Sequence, residues 1–326
     1  MFGGYKIREG ILIIVILLLF ARPTQDQKVG WAPLVDHSGR EITLPSHVEK
    51  IYATTESGLF LVYSLQPEAI IGWNRGLNPY LEFAVEPRFH CLPTLGSWDH
   101  EFKTIRTDLV LEQQPDLIVH YAPVDSFNML LAAEIQETLG IPTVLIDNSL
   151  PALPAALRFM GEILGKEARG SALAAFVENH LARAQDFLTV TEGFGEIPIH
   201  IISPYPFGYF DSLLELAGMV EVEPRGEGAL PDFVLVMPHS VQDPYSELEK
   251  AGYKRIYQIP SFPTEWLDPT SIFGLLGLEW LLSIAYPNFY AADLGETYKL
   301  FMEVFFEVKV TSAILEWTLR RSGISY

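Results

Sequence analysis

The chain has 326 residues, and its 22 Lys and Arg against 41 Asp and Glu give a formal net charge of −19 at pH 7. An acidic chain offers no surplus of cations to neutralise phosphates, which excludes nucleic acid as a partner. With 49% hydrophobic residues it is not a disordered chain, and its single cysteine, Cys91, excludes an intramolecular disulfide. The length predicts two domains or one large α/β body.

The first 27 residues predict export. Lys6 and Arg8 precede the uncharged apolar run from Ile11 to Ala21, which has 11 residues. As a helix this run covers roughly 16 Å, about half of a hydrocarbon core, so it is typical of a signal peptide and not of a spanning helix. We expect an exported protein at the periplasmic or extracellular face of the cytoplasmic membrane, with residues 1–27 as a signal peptide or N-terminal anchor. An amphipathic or buried first helix is the alternative.

Strand and helix patterns alternate over residues 28–150, which we predict to form the N-terminal α/β lobe. Apolar periodicity indicates helices at 56–64 and 126–139. The predicted strands are 41–45, 51–53, 69–73, 117–121 and 143–146. Short apolar strands separated by helices indicate a parallel sheet covered on both faces.

A helical connector is predicted at residues 151–192, where no strand pattern occurs. Its Ala-rich second part, from 172 to 188, predicts a long helix that we interpret as a strut between lobes; an ordinary packing layer is the alternative. Alternation then resumes, with predicted strands at 197–203, 233–237 and 255–259. Residues 193–326 therefore form the predicted C-terminal α/β lobe, which ends in helices.

Five motifs follow one another along the chain, two in its first half and three in its second. They are Asp36-x-x-Gly39-Arg40-x-Ile42-x-Leu44-Pro45, Leu109-x-Leu111-Glu112-x-x-Pro115-Asp116-Leu117-Ile118-Val119, Glu215-Leu216-Ala217-Gly218, Pro231-Asp232-Phe233-Val234 and Gly277-Leu278-x-Trp280-Leu281-x-x-x-x-Tyr286-Pro287. With them the chain resembles the class III substrate-binding proteins of ABC importers. Members of that family carry iron-siderophore complexes, haem, cobalamin and related metal chelates.

The resemblance implies an α/β fold of two Rossmann-like lobes joined by a single long helix, with the ligand cleft between them. It also implies that the protein is a monomer, is not an enzyme, and delivers its ligand to an ABC permease and its ATPase. No resident cofactor is expected, and the ligand would be an iron or cobalt chelate. Acidic side chains that dock on the permease are expected at Glu56 and Asp125 of the first lobe and at Glu215 or Glu247 of the second.

Aromatic side chains near the carboxyl ends of strands are the natural lining for a large, partly flat chelate, because it needs wide apolar contact and few polar anchors. The predicted ligand-binding residues are Trp73, Arg75, Trp98, Tyr121, Tyr205, Phe207, His239, Phe262 and Trp266. Each follows a predicted strand or lies in a loop near one.

Two other functions stay open from the sequence. His120 and His239 end equivalent strands in the two halves, so they could ligate a bare divalent metal ion. An extracytoplasmic enzyme is the second alternative, although no nucleophile or phosphate-loop motif is present. The sole acid-base cluster, Asp99-His100-Glu101, consists of adjacent loop residues that would point apart.

Overall fold

The computed structural model describes residues 31–99, 103–191, 195–223, 231, 233–238, 245–290 and 292–324. The predicted signal segment and His239 lie outside these ranges. Within them the strands are β1 Trp31–Val35, β2 Glu41–Pro45, β3 Ile51–Ala53, β4 Leu117–Ala122, β5 Thr143–Asp147, β6 Ile197–Ile202, β7 Met219–Glu221, β8 Phe233–Val236 and β9 Ile256–Gln258. β1 and β2 form an antiparallel pair. The other strands form two parallel sheets, in the orders β3-β4-β5 and β7-β6-β8-β9.

Helices cover both sheets, as the alternating pattern predicts. In chain order they are α1 Glu56–Leu65, α2 Pro79–Ala84, α3 Thr107–Gln113, α4 Ser126–Leu139, α5 Leu153–Ile163, α6 Glu167–Thr191, α7 Asp211–Glu215, α8 Tyr245–Lys250, α9 Gly274–Ala285, α10 Leu294–Phe306 and α11 Ser312–Thr318. All six residues of β4 are buried, which explains its continuous apolar run. The two-lobed α/β fold class is confirmed.

One predicted strand is wrong in part, because residues 69–73 form only isolated bridges. Ile70 pairs with Ile51, and Trp73 pairs with Thr94. Pro67–Ala69 folds into a 3-10 turn that includes the first residue of this run, which leaves too little extended chain for a strand. Strands β1 and the short β7 were not predicted from the sequence.

The first of the five motifs, which contains Asp36, Gly39 and Arg40, has a structural role. The buried Asp36 accepts hydrogen bonds from the Nε and Nη2 of Arg40, at 3.0 and 2.7 Å, and from the backbone N–H of Leu145 at 3.0 Å. Gly39 has a φ of +82°, a left-handed conformation that glycine adopts without strain. The motif therefore fastens the β1–β2 hairpin to the edge of the first parallel sheet.

Helix α6 is the predicted strut, and it spans 25 residues, or about 38 Å at 1.5 Å per residue. Arg183 and His180 of α6 both bond Oε1 of the fully buried Glu279 of α9, each at 2.6 Å. The other oxygen of Glu279 accepts the hydroxyl of Tyr290 at 2.8 Å. This cluster fixes the strut to the second lobe.

Aromatic rings join the two lobes through a continuous core. Phe60 of α1 lies edge-on to Phe273 and to Phe306, with ring centroids 5.6 and 6.0 Å apart. Tyr63, one turn further along α1, stacks on Phe306 at 5.9 Å. Because α10 belongs to the C-terminal half of the chain and α1 to the N-terminal half, these rings pack the two halves together. The described residues contain no helix that is both long and apolar enough to cross a membrane.

Candidate ligand-binding cleft

A cavity of about 940 Å³ lies where the carboxyl ends of both parallel sheets face each other. The first lobe contributes the turns that follow β3, β4 and β5, and the second contributes the loop after β6 and the loop before α9. The lining residues are Thr55, Glu56, Ser57, Asn74, Arg75, Ser97, Asp99, Thr104, Tyr121, Ala122, Pro123, Asp125, Phe127, Asn128, Asn148, Tyr205, Tyr209, Asp268 and Thr270. Ligands of open α/β sheets bind at this edge, outside the ends of the strands.

Arg75 supplies the cleft's basic side chain and is held by Glu56. The Nε of Arg75 lies 2.6 Å from one carboxylate oxygen of Glu56, and its Nη2 lies 3.0 Å from the other. This two-point pairing is the strong form of a charged hydrogen bond. Burial raises the pKa of Glu56, Arg75 lowers it, and the nearby Asp268 and Glu265 raise it further, with a net shift upward.

Asp268 lies in the second lobe, on the opposite wall. Burial raises the pKa of its carboxyl above the ordinary value, although hydrogen bonds oppose the shift. Its Oδ1 accepts the hydroxyl of Thr270 at 2.7 Å and the backbone N–H of Thr270 at 2.9 Å. The Oγ of Ser57 in the first lobe lies 3.5 Å from the Oγ1 of Thr270, so hydroxyl groups of the two lobes are in contact here.

Two stacked tyrosines form an aromatic wall. The rings of Tyr205 and Tyr209 are 4.3 Å apart between centroids and nearly parallel, at 9°. The hydroxyl of Tyr205 donates to Glu265 at 3.3 Å, and that of Tyr209 donates to Asp268 at 3.4 Å. The wall therefore presents a flat apolar face whose polar tips are tied to carboxylates.

Both ring nitrogens of His120 are hydrogen-bonded inside the first lobe. Burial lowers the pKa of its imidazole, and its Nδ1 and Nε2 bond Thr54 at 2.8 Å and Asn128 at 3.1 Å. Because Asn128 donates its amide N–H groups to Asp125, its oxygen is left to accept from His120 Nε2. Among the described residues, no three His, Cys, Asp or Glu side chains are grouped to hold a metal ion. A metal-binding role for His120 would require it to give up one of these two bonds, and that role stays a prediction.

Three of the predicted ligand-binding residues line the cleft, namely Arg75, Tyr121 and Tyr205. Tyr121 is almost fully buried at the end of β4, and burial raises the pKa of its hydroxyl. Phe207 is 57% exposed but lies outside the lining. Contact of these side chains with a ligand stays a prediction.

Trp73, Trp98, Phe262 and Trp266 are placed in the core and not on the cleft surface. The indole N–H of Trp73 donates to the carbonyl of Phe89, and that of Trp266 donates to the carbonyl of Phe262, both at 3.0 Å. With its polar tip satisfied internally, a tryptophan can be buried completely. Trp98 lies under the ammonium group of Lys103, which is 3.9 Å from the ring centroid.

The predicted docking acids differ in their surroundings. Glu56 faces the cleft and is paired with Arg75, and Asp125 caps α4 by accepting the backbone N–H of Asn128 at 2.8 Å. Glu215 at the end of α7 and Glu247 in α8 are exposed on the second lobe. Among the described residues, Glu215 and Glu247 are the two of the four that neither line the cleft nor cap a helix.

Asn74, Tyr209, Asp268 and Thr270 line the cleft but were not predicted from the sequence. The available signal was the polar trio Asp268-Pro269-Thr270 between apolar segments, which is typical of a turn before a helix. Asn74 and Tyr209 each lie next to or near a residue that was predicted, namely Arg75 and Tyr205.

Two facing parallel sheets with one cleft and one long connecting helix define the fold of two-lobed periplasmic solute-binding proteins. An ABC transporter solute binding protein from Sulfurospirillum deleyianum superimposes with a TM-score of 0.76 and 21% identity, over 88% of this chain and 99% of its own. A periplasmic solute binding protein from Veillonella parvula gives 0.67 and 15%, over 90% and 98%. The molybdate periplasmic binding protein MolA of Haemophilus influenzae, with molybdate bound, gives 0.67 and 18%, over 86% and 99%.

These likenesses establish the fold that the motif resemblance implied. All three structures are described as solute-binding proteins and none as an enzyme. No protein-family model matches the sequence, and no curated protein matches it. The ligand has therefore to be argued from the cleft itself.

Proposed function

We propose that this protein is the exported solute-binding component of an ABC importer. In this proposal it binds an iron complex or related metal chelate, such as a siderophore, haem or cobalamin, and presents it to the permease. The observation that supports it is the cavity of about 940 Å³ at the carboxyl ends of both sheets. Cavities of about 300 to 1,000 Å³ accommodate organic ligands of this size.

The cleft suits an organic complex better than a small ion. The Tyr205–Tyr209 wall offers flat apolar contact, whereas a bare metal ion needs three or four converging ligands. A compact oxyanion would need cationic donors, but Arg75 is already paired with Glu56. An enzyme would need a nucleophile with its base. The described lining contains no His or Cys, and the carboxylate that the Thr270 hydroxyl contacts, Asp268, also accepts the backbone N–H of Thr270.

Docking on the permease is proposed through Glu215 and Glu247, which are exposed on the second lobe. Surface carboxylates would steer the acidic protein toward a basic permease face, and salt would weaken this attraction. Asp125 stays a candidate for the first lobe, because it is exposed at the start of α4 despite its capping bond.

Binding is tested by thermal unfolding and calorimetry of the purified protein with ferric siderophores, haem and cobalamin. At a concentration of 100 times its Kd, a ligand stabilises the folded state by about 2.7 kcal/mol. Tyr205→Ala should weaken binding about tenfold, because it removes half of the aromatic wall. Phe207→Ala is the matched control, since its ring lies outside the lining, and should leave affinity unchanged. No response to any of these chelates would contradict the proposal.

A further inference from the structure

Acidic side chains outnumber basic ones in the described lining of the cleft. Glu56, Asp99, Asp125 and Asp268 are its carboxylates, and among the described lining residues Arg75 is the one Arg or Lys. The bidentate pairing with Glu56 neutralises that guanidinium. A ligand entering the cleft therefore meets an acidic surface whose positive charge is already engaged.

Carboxylates from both lobes converge on the same space. Asp268 and Glu265 of the second lobe interact with Glu56 of the first, and both oppose its ionisation as like charges do. Arg75 opposes this effect at Glu56, and hydrogen bonds from Thr270 and Tyr209 oppose it at Asp268. A positively charged group placed between the lobes would relieve the repulsion, so the electrostatics favour a cationic ligand at this position.

Asn74 supplies an independent observation. Its side-chain amide donates Nδ2 to the carbonyls of Ala53 at 2.9 Å and Gly96 at 3.1 Å, which fixes the orientation of the amide. The residue is 7% exposed, lines the cleft, and its Oδ1 has no hydrogen-bond partner among the described residues. A buried acceptor without a partner is costly, and a hydrogen-bond donor from a ligand would satisfy it.

The aromatic wall is compatible with the same kind of ligand. The faces of stacked Tyr205 and Tyr209 attract cations through their quadrupoles, and their hydroxyls are tied to carboxylates at the rim of the wall. An ammonium or guanidinium group at this position would contact both the rings and the acids.

We propose that the cleft selects chelates that carry an organic cation with N–H donors, such as a pendant ammonium group, and that it discriminates against anionic chelates. This inference rests on the proposed function, and it names the charge class of the ligand. Arg75 then orients Glu56 and opposes the effect of burial on its pKa, and a ligand cation would favour the ionised carboxylate in the same way.

A matched ligand series tests the charge preference. The probes are a ferric trihydroxamate with a free terminal ammonium, the same complex with that amine acetylated, and the same complex succinylated, which are positive, neutral and negative. At low ionic strength we expect the ammonium complex to bind at least about tenfold more tightly than the succinylated one, with the acetylated complex between them.

Two variants connect the preference to named side chains. Glu56→Gln releases Arg75, so the preference should fall to about twofold or reverse in favour of the succinylated complex. Asp268→Asn should reduce the preference without releasing Arg75. Glu247→Gln removes an exposed carboxylate that lies outside the lining, and it should leave the series unchanged. The wild-type series decides the question even if a variant folds poorly.

The outcomes separate the two proposals. Equal binding of the three complexes, or tighter binding of the succinylated one, would overturn the inference and leave the proposed function standing. Binding of haem, which has anionic propionates, or of neutral cobalamin in place of the ammonium complex would overturn the inference as well. Failure of every chelate to bind would overturn the proposed function and the inference with it.

Discussion

Arg183 of the connector helix donates through Nη2 to the fully buried carboxylate of Glu279 in α9, at 2.6 Å. The same oxygen lies 2.6 Å from Nδ1 of His180, and Tyr290 donates to the other oxygen. A buried carboxylate is tolerated because several donors satisfy it. The pair therefore fixes the long helix to α9 of the second lobe.

Glu279→Gln should destabilise the fold by about 3 kcal/mol, because removal of one buried partner leaves the others unsatisfied. Urea unfolding at pH 7 measures the loss. The control is Glu178→Gln, which breaks the exposed pair with Arg158 and should leave the unfolding midpoint nearly unchanged. Equal effects of the two substitutions would contradict the structural role of Glu279.

The same cluster predicts loss of stability in acid. Burial by itself would raise the pKa of Glu279, but hydrogen bonds from His180 and Arg183 outweigh burial and hold it below the ordinary value of 4.5. The stability from this depressed pKa is present above about pH 4.5 and is lost as the pH falls through the folded-state value. Urea midpoints between about pH 3 and 7 should converge for the wild type and Glu279→Gln at the acid end. Parallel curves would contradict the assignment.

Tyr80 of the first lobe and Trp317 of the second form an aromatic contact between the lobes, here called the clasp. Their rings stack with centroids 5.1 Å apart, and Phe262 lies edge-on to both. A double-mutant cycle of Tyr80→Ala and Trp317→Ala should give a coupling of about 1 kcal/mol in unfolding free energy. X-ray scattering should show a larger radius of gyration in either variant, whereas Phe289→Ala, which removes an exposed ring, should leave the radius unchanged. Additive effects would argue against the clasp.

His120→Phe should destabilise the first lobe by about 2 kcal/mol, because Thr54 and Asn128 each lose a buried partner. It should not change affinity for Zn²⁺ or Mn²⁺, which we expect to be negligible in both proteins by calorimetry. Thermal unfolding measures the first effect. Tight binding of either ion by the wild type, lost in the variant, would instead support a receptor for a bare metal ion.

The pH dependence of His120 has a definite sign. Because burial lowers its folded-state pKa, the unfolded chain binds more protons below the ordinary value of 6.5. Stability from the neutral imidazole therefore falls as the pH drops below about 6.5. The difference in unfolding free energy between wild type and His120→Phe should shrink over that range. A constant difference from pH 7 to 5 would contradict a neutral, buried imidazole.

Sequence reasoning predicted the ligand-binding aromatics only by their position after strands, and this could not separate cleft from core. Trp73 and Tyr121 both follow the pattern, yet Trp73 donates to Phe89 inside the first lobe while Tyr121 faces the cavity. Which way an aromatic ring turns depends on whether its polar tip finds a partner in the core. That partner lies elsewhere in the chain, so local sequence does not contain the answer.

The sequence by itself determined the alternation of strands and helices, the long connector and the acidity of the chain, because periodicity and composition are local properties. Only the tertiary structure decided that Glu56 holds Arg75 and that Asp268 faces them from the other lobe. Ser57 and Thr270, which meet across the cleft, are separated by 213 residues. The role of a charged or hydroxyl side chain depends on such neighbours. These neighbours come together only because the carboxyl ends of both sheets border the same cleft.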